Sequence, residues 1–113
     1  MAKVKIIDSL AKEIQKKFKG KSLEIVKLLR ALEKNPYKGE AVGQVAGIVI
    51  KELRYEGFRF YFITDGYQIR VLSIEGLTNL LIKFVRMSDK KSQQKTINEI
   101  KDILRKFGSE GFE

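Results

Sequence analysis

The sequence predicts an α+β domain in which an N-terminal helical hairpin packs on a mostly antiparallel sheet of four to five strands, followed by a C-terminal helix. Two observations predict the elements. Apolar residues recur at helical spacing in the first third of the chain and again near its end, and between these regions the apolar period becomes two, as in strands. A third observation predicts the topology: turn-like dipeptides separate the strand-like runs, and such short connections exclude parallel crossovers between them.

The N-terminal third begins with a short apolar alternation from Val4 to Ile7, which predicts a first strand. Asp8-Ser9 offers an N-cap for a helix that ends at Gly20. Ser22 offers the cap of a second helix, which Asn35-Pro36 ends because the residue before proline is pushed out of the α region. The apolar faces consist of Leu10, Ile14 and Phe18 in the first helix and of Leu23, Ile25, Val26, Leu28, Leu29 and Leu32 in the second. These faces predict an antiparallel helical hairpin.

Four strand-like runs follow the glycine-bearing loop 37–40. They cover residues 46–54, 57–64, 67–74 and 78–87, and are separated by Tyr55-Glu56-Gly57, Asp65-Gly66 and Glu75-Gly76. Asp-Gly between two apolar runs is the strongest short-range signal of a hairpin. Ser92 offers the cap of a last helix that carries Ile97, Ile100, Leu104 and Phe107 on one face. We expect residues 1–113 to form one domain, with a flexible tail at 108–113.

The composition favours a polyanionic partner, and nucleic acid first. The 113 residues include 23 Lys+Arg and 14 Asp+Glu, and the net charge is +9. The positive excess falls on residues 1–38 and 80–107, although lysine-rich surfaces also serve solubility. The absence of Cys and His excludes disulfides, Cys/His zinc sites, thiol nucleophiles and histidine-based triads. Without a signal-peptide pattern or a run of ~18 apolar residues, we expect a soluble cytoplasmic protein with no membrane contact.

The second strand-like run contains a candidate RNA surface. Phe58, Phe60 and Phe62 alternate with Arg59 and Tyr61. We expect the phenylalanines to pack on helices, which turns Arg59 and Tyr61 to an exposed face. There, arginine would hold phosphates and tyrosine would stack on bases. The alternative is that Arg59 pairs with a glutamate across the sheet.

Three segments, in this order, resemble the RelE/ParE toxin superfamily, in particular its RelE/HigB-like branch. They are Asn35-Pro36 with Gly39, the run Lys51-Glu52-Leu53-Arg54-Tyr55-Glu56-Gly57-Phe58-Arg59-Phe60-Tyr61-Phe62, and Lys90-Lys91-Ser92-Gln93-Gln94 before the final helix. The resemblance covers residues 4–107 and implies a type II toxin that cleaves mRNA in the ribosomal A site. In such toxins the ribose 2′-hydroxyl attacks the adjacent phosphate, with no metal or other cofactor. The implied partners are mRNA, the ribosome and a cognate antitoxin protein.

The resemblance also implies roles for individual residues. Arg59 matches the arginine that binds the scissile phosphate, and Lys91 a basic residue that stabilises the transition state. Glu52 is either a carboxylate base, as in some relatives, or a partner for Arg54 or Arg59. Arg54 contacts the RNA backbone or forms a structural ion pair. The RNA-binding set implied by the resemblance and the basic segments is Lys51, Arg54, Tyr61, Lys83, Arg86 and Lys90.

The chain also departs from the family pattern. Ile50 and Glu52 stand where RelE itself carries two strand lysines, Ile97 stands nearest to its functional tyrosine, and no residue is identified as the general acid. Two alternatives therefore stay open: a ParE-like toxin that binds a protein target without cleaving RNA, and a non-toxic relative that binds RNA or protein. The segment Leu77 to Met87, or an exposed helical face, is a candidate docking surface for the antitoxin, unless its residues are core.

Overall fold

A computed structural model of the chain describes residues 2–65 and 81–112. In chain order the elements are β1 (Lys3–Ile6), α1 (Asp8–Phe18), α2 (Ser22–Arg30), β2 (Glu40–Val45), β3 (Ile48–Tyr55), β4 (Phe58–Asp65), β5 (Leu81–Asp89) and α3 (Gln93–Phe107). Short 3-10 turns lie at Lys19–Lys21, Ala31–Glu33 and Gly108–Gly111. The predicted strand at 67–74, like the Glu75-Gly76 turn, lies outside the described residues.

The strands form one sheet in the order β1-β5-β4-β3-β2. Strands β2 to β5 pair antiparallel with their neighbours, whereas β1 runs parallel to β5 and pairs Val4 with Ile82. The helical hairpin and three further strands separate β1 from β5 in sequence, which gives the chain the long crossover that a parallel pair requires. The predicted α+β class with a mostly antiparallel sheet is therefore confirmed.

The sequence did not predict strand β2: Glu40 was placed in the loop 37–40, and residues 41–45 were assigned to no element. Glu40–Val45 pairs with β3 across the two-residue turn Ala46-Gly47, in which both residues have positive φ. The register shifts between Ala41 and Gly43, which breaks the simple alternation that identifies a strand. By contrast, the predicted turn at Glu56-Gly57 is confirmed, and both of its residues also have positive φ.

One face of the sheet packs against the N-terminal helices, as predicted. Phe60 and Phe62 are fully buried. Phe18 of α1 makes edge contacts with Phe58 at 5.1 Å and a tilted contact with Phe60 at 6.2 Å between ring centroids. Most of the predicted helical face is buried or half-buried, but Leu23 is 65% exposed, so its placement in the core was wrong.

The opposite face of the sheet packs against α3, which contacts β2 and β5. Ile97, Ile100 and Leu104 are buried as predicted, whereas Phe107 is 69% exposed. The segment expected to be a flexible tail forms a 3-10 turn, and Phe112 is buried in the core. Phe107 comes one residue before Gly108, where a positive φ changes the direction of the chain, so Phe112 rather than Phe107 covers the end of the core.

The helix ends differ from the predicted caps. Ile7 and Lys21 stand at the N-cap positions of α1 and α2, and neither helix has a side-chain cap. Helix α1 ends at Phe18, two residues before Gly20, and its C-cap residue Lys19 has a positive φ of 45°. Ser92 does occupy the N-cap of α3, but the hydrogen bond there runs from its backbone N–H to Asp89. Within the described residues, no helix is long and apolar enough to cross a membrane.

Candidate functional site

The face of the sheet beneath α3 carries a cluster of polar residues. Glu52 pairs with Tyr61 and Arg54 with Arg59 in the β3–β4 register, so these four residues point to one side of the sheet. The prediction that Arg59 and Tyr61 are exposed was wrong, since Arg59 is 6% and Tyr61 0% exposed. The reason is that this face is not open: the C-terminal helix covers it.

Glu52 is the centre of this cluster. Its carboxylate is buried, and the side-chain amide of Gln93 donates to Oε1 at 2.9 Å and to Oε2 at 3.4 Å. Arg54 Nη2 lies 3.8 Å from Oε1, and Arg59 Nε lies 3.7 Å from Oε2. The carboxylate therefore lies between two guanidinium groups, but its short hydrogen bond comes from a neutral amide.

Arg59 is the buried cation of the cluster. Its Nη1 donates to the carbonyl oxygen of Gly57 at 3.0 Å, and this bond fixes the guanidinium at the start of β4. Its Nε has no hydrogen-bond partner among the residues that the structure describes. The predicted alternative, that Arg59 pairs with a glutamate across the sheet, is the arrangement observed. Arg59 nevertheless keeps one buried N–H that an additional acceptor would satisfy.

Tyr61 extends the polar cluster towards β5. Its hydroxyl lies 2.7 Å from Oγ of Ser88, and Ser88 Oγ donates to the carbonyl oxygen of Asp89 at 2.9 Å. Burial raises the pKa of Tyr61 above its usual value of 10.0. Tyr61 is thus a neutral hydrogen-bonding residue inside the fold and is not a surface on which a base can stack.

An open pocket adjoins Glu52 at the start of β2. It has a volume of about 210 Å³ and is lined by Gly39, Glu40, Glu52, Leu53 and Arg54. Pockets that enclose small molecules usually measure ~300–1,000 Å³, so this pocket would accommodate only part of a ligand. Arg54 is exposed on its rim and also pairs with Glu40 at 3.7 Å.

Basic side chains surround the neighbouring end of the sheet. Lys90 and Lys91 are exposed in the turn between β5 and α3. Asp89 precedes them, and the hydrogen bond from the backbone N–H of Ser92 lowers the pKa of its carboxyl, as do the charges of Lys17 and Lys91. Lys17 also lies over the ring of Phe58, 5.0 Å from its centroid. Helix α1 therefore contributes a cation near Asp89, at the turn before α3.

The structure does not bring three of the predicted RNA-binding residues to this cluster. Lys51 lies on the other face of the sheet, where its Nζ donates to the carbonyl oxygen of Tyr37 at 3.4 Å and burial lowers its pKa. Lys83 donates to the carbonyl oxygens of Ser109 and Phe112 at 3.0 and 3.1 Å. Arg86 binds Glu99 of α3 at 2.7 Å. These contacts hold the loop before β2 and the C-terminal residues on the sheet.

The described part of the predicted docking strand belongs to the core. Ile82, Phe84, Val85 and Met87 are buried in β5, which lies between β1 and β4. Residues 77–80 lie outside the described residues.

Sequence reasoning missed two residues that the structure adds to the site. Gln93 binds Glu52 across 41 positions of sequence, and Ser88 binds Tyr61 across 27. Gln93 belonged to a segment quoted for the family resemblance, but no sequence signal pairs it with Glu52.

No group of three or more acidic side chains is arranged to hold a metal ion within residues 2–65 and 81–112. Comparison of the chain with protein-family models, curated proteins and solved structures found no match.

Proposed function

We propose that the chain is the toxin of a type II toxin–antitoxin pair and that it cleaves mRNA on the ribosome without a metal ion. The observation that carries this proposal is the Glu52–Arg59 pair, a carboxylate 3.7 Å from a guanidinium beside an open pocket. The residue patterns that resemble the RelE/ParE superfamily, and the α+β order of the elements, support the same function.

The proposed reaction assigns one task to each charged residue. The ribose 2′-oxygen attacks the adjacent phosphorus, and Glu52 accepts the proton of the 2′-hydroxyl. As the O2′–P bond forms, the P–O5′ bond breaks, and the departing 5′-oxygen takes a proton from water. Arg59 binds the phosphate, and Lys91 stabilises the charge that develops on it, with Lys90 beside it. The products are a 2′,3′-cyclic phosphate and a 5′-hydroxyl.

RNA binding has to open this site locally, because Glu52 and Arg59 are buried. In this proposal the RNA approaches through the pocket that Glu52 and Arg54 line, whose volume of about 210 Å³ holds only part of a nucleotide. A phosphate that enters there would supply the acceptor that Arg59 Nε lacks. Exposed Arg54 would bind the flanking backbone.

Expression of wild type and of the Arg59→Ala variant tests this function. Wild type should arrest growth and cleave mRNA that is being translated, and Arg59→Ala should reduce cleavage by about 100-fold or more. Arg105→Ala is the matched control, since Arg105 is exposed on α3 and contacts only its neighbour Asp102 at 3.4 Å among the described residues. If folded Arg59→Ala, checked by circular dichroism, cleaves like wild type, the site assignment is wrong.

A second candidate function is growth arrest through binding of a protein target without RNA cleavage. The burial of Arg59 against Glu52 favours it, because an arginine neutralised inside the fold has no free charge for a phosphate. Growth arrest with intact mRNA would select this function. Harmless expression with salt-dependent RNA binding would instead indicate a non-toxic relative.

The proposal includes a cognate antitoxin and, through the ribosome, a cytoplasmic location. Since the described part of Leu77–Met87 is core, the antitoxin would use another surface. The genes on either side of the coding sequence provide the test. One of them should encode a short protein that suppresses the growth arrest on co-expression and copurifies with the chain.

A further inference from the structure

Gln93, the first residue of α3, is bound to the proposed catalytic base. Its amide Nε2 donates to Glu52 Oε1 at 2.9 Å, and no other described side chain hydrogen-bonds this carboxylate. The two arginines approach it only to 3.7 and 3.8 Å. Because Glu52 is 2% exposed, solvent does not compete for this bond.

This bond gives the two carboxylate oxygens different surroundings. Oε1 accepts the short hydrogen bond from Gln93, at 2.9 Å, whereas Oε2 accepts only the longer bond from the same amide, at 3.4 Å. Oε2 also lies next to Arg59 Nε, which has no acceptor among the described residues. Oε2 therefore keeps a lone pair on the side of the guanidinium proposed to hold the phosphate. A neutral amide is suited to this task, since it orients the carboxylate without a charge that would bind the phosphate itself.

We propose that Gln93 is a positioning residue for RNA cleavage, one that orients the Glu52 carboxylate so that Oε2 faces the 2′-hydroxyl beside Arg59. The inference rests on the proposed function and adds to it a residue of α3. It also explains why the first turn of α3 lies over the polar face of the sheet, where Glu52 would otherwise be a buried carboxylate with no hydrogen-bond donor.

The decisive experiment compares Gln93→Met with Gln94→Met. Both changes replace an amide with an apolar chain of similar length in the first turn of one helix. Among the residues that the structure describes, however, the Gln94 amide binds only Asn98, on the exposed side of α3, at 3.0 Å. On ribosomes loaded with mRNA, Gln93→Met should lower the single-turnover cleavage rate by about 100-fold, with ribosome affinity within about twofold of wild type. Gln94→Met should change neither quantity.

A second comparison separates positioning from a merely structural role. In a Glu52→Gln background no base remains to be oriented, so Gln93→Met should have no further effect on the residual rate. An equal fall in both backgrounds would overturn the inference, as would a loss of affinity at an unchanged rate. If Gln93→Met does not fold, Gln93→Asn, which keeps the amide but shortens its reach, takes its place with the same expected fall.

The outcomes also distinguish this inference from the proposed function. If wild type cleaves RNA and Gln93→Met cleaves it equally fast, the inference is overturned and the proposed function stands. Wild type that fails to cleave translated mRNA overturns the proposed function and the inference with it.

Discussion

The hydroxyl groups of Tyr61 and Ser88 lie 2.7 Å apart at the buried junction of β4 and β5. A serine hydroxyl has one proton, and that of Ser88 is donated to the carbonyl oxygen of Asp89. Tyr61 must therefore be the donor in the first bond, and a donor phenol is protonated. The resulting chain from Tyr61 through Ser88 to Asp89 links the centre of the sheet to the turn before α3.

Tyr61→Phe should lower the free energy of unfolding by about 1 kcal/mol at pH 7, because it removes a buried hydrogen bond but little volume. The effect should also depend on pH. Burial raises the pKa of Tyr61, so its contribution is complete below the unfolded value of 10.0 and is lost as pH rises through the higher folded value. Urea unfolding of both proteins between pH 7 and 11 measures this. The difference should shrink above pH 10, and a constant difference would contradict the role of burial.

A substitution at Gly39 tests how closely the loop before β2 packs against Phe62 and Glu52. Its φ is +98°, and a Cβ there would lie 2.9 Å from Phe62 Cζ and 3.0 Å from the carbonyl oxygen of Glu52. Gly39→Ala should therefore destabilise the fold by about 3 kcal/mol, combining backbone strain with overlap.

Two other glycines provide matched controls for that substitution. Gly57 also has a positive φ, but a Cβ there would meet nothing within 4 Å, so Gly57→Ala should cost only about 1 kcal/mol of strain. Gly20 has open space and an ordinary φ, so Gly20→Ala should be near neutral. Urea unfolding ranks the three variants. Equal losses for Gly39→Ala and Gly57→Ala would show that the loop moves away from Phe62.

The fold could be predicted from sequence where apolar residues recur with one period along a whole element. The arrangement of the side chains in the site could not. Phe58, Phe60 and Phe62 alternate without interruption, so their shared packing face followed from sequence. Strand β2 was missed because a register shift beside Gly43 breaks its alternation. The alternation in β4 could not show whether Arg59 is exposed. It separates the two faces of the strand, but it does not show that a helix distant in sequence covers the second face. The pairing of Glu52 with Gln93 is a tertiary contact of this kind.

Alanine substitutions at the two phenylalanines near the C-terminus should change the free energy of unfolding in the order opposite to the one that the sequence predicts. Phe112 is 4% exposed, and its ring lies 5.3 Å from the guanidinium carbon of Arg86, whereas Phe107 is 69% exposed. Phe112→Ala should lower the free energy of unfolding by about 3 kcal/mol. Phe107→Ala should change it by no more than about 0.5 kcal/mol. Thermal unfolding followed by circular dichroism measures both, and the reverse order would mean that the tail does not pack on the sheet.

The Glu52–Arg59 pair should be costly to break and unnecessary for folding. Glu52→Gln leaves Arg59 buried without a carboxylate and should cost about 3 kcal/mol in urea unfolding. Asp102→Asn, which breaks the exposed Arg105 pair, should cost less than about 0.5 kcal/mol.

The double variant Glu52→Leu with Arg59→Met removes both buried charges and should recover most of the stability lost by Glu52→Gln. If the pair serves only the fold, this variant should also keep the activity of wild type. If the pair is the catalytic site, the double variant should be stable and inactive, because apolar side chains supply neither a base nor a phosphate ligand. A stable double variant that still cleaves mRNA would therefore remove Glu52 and Arg59 from the mechanism.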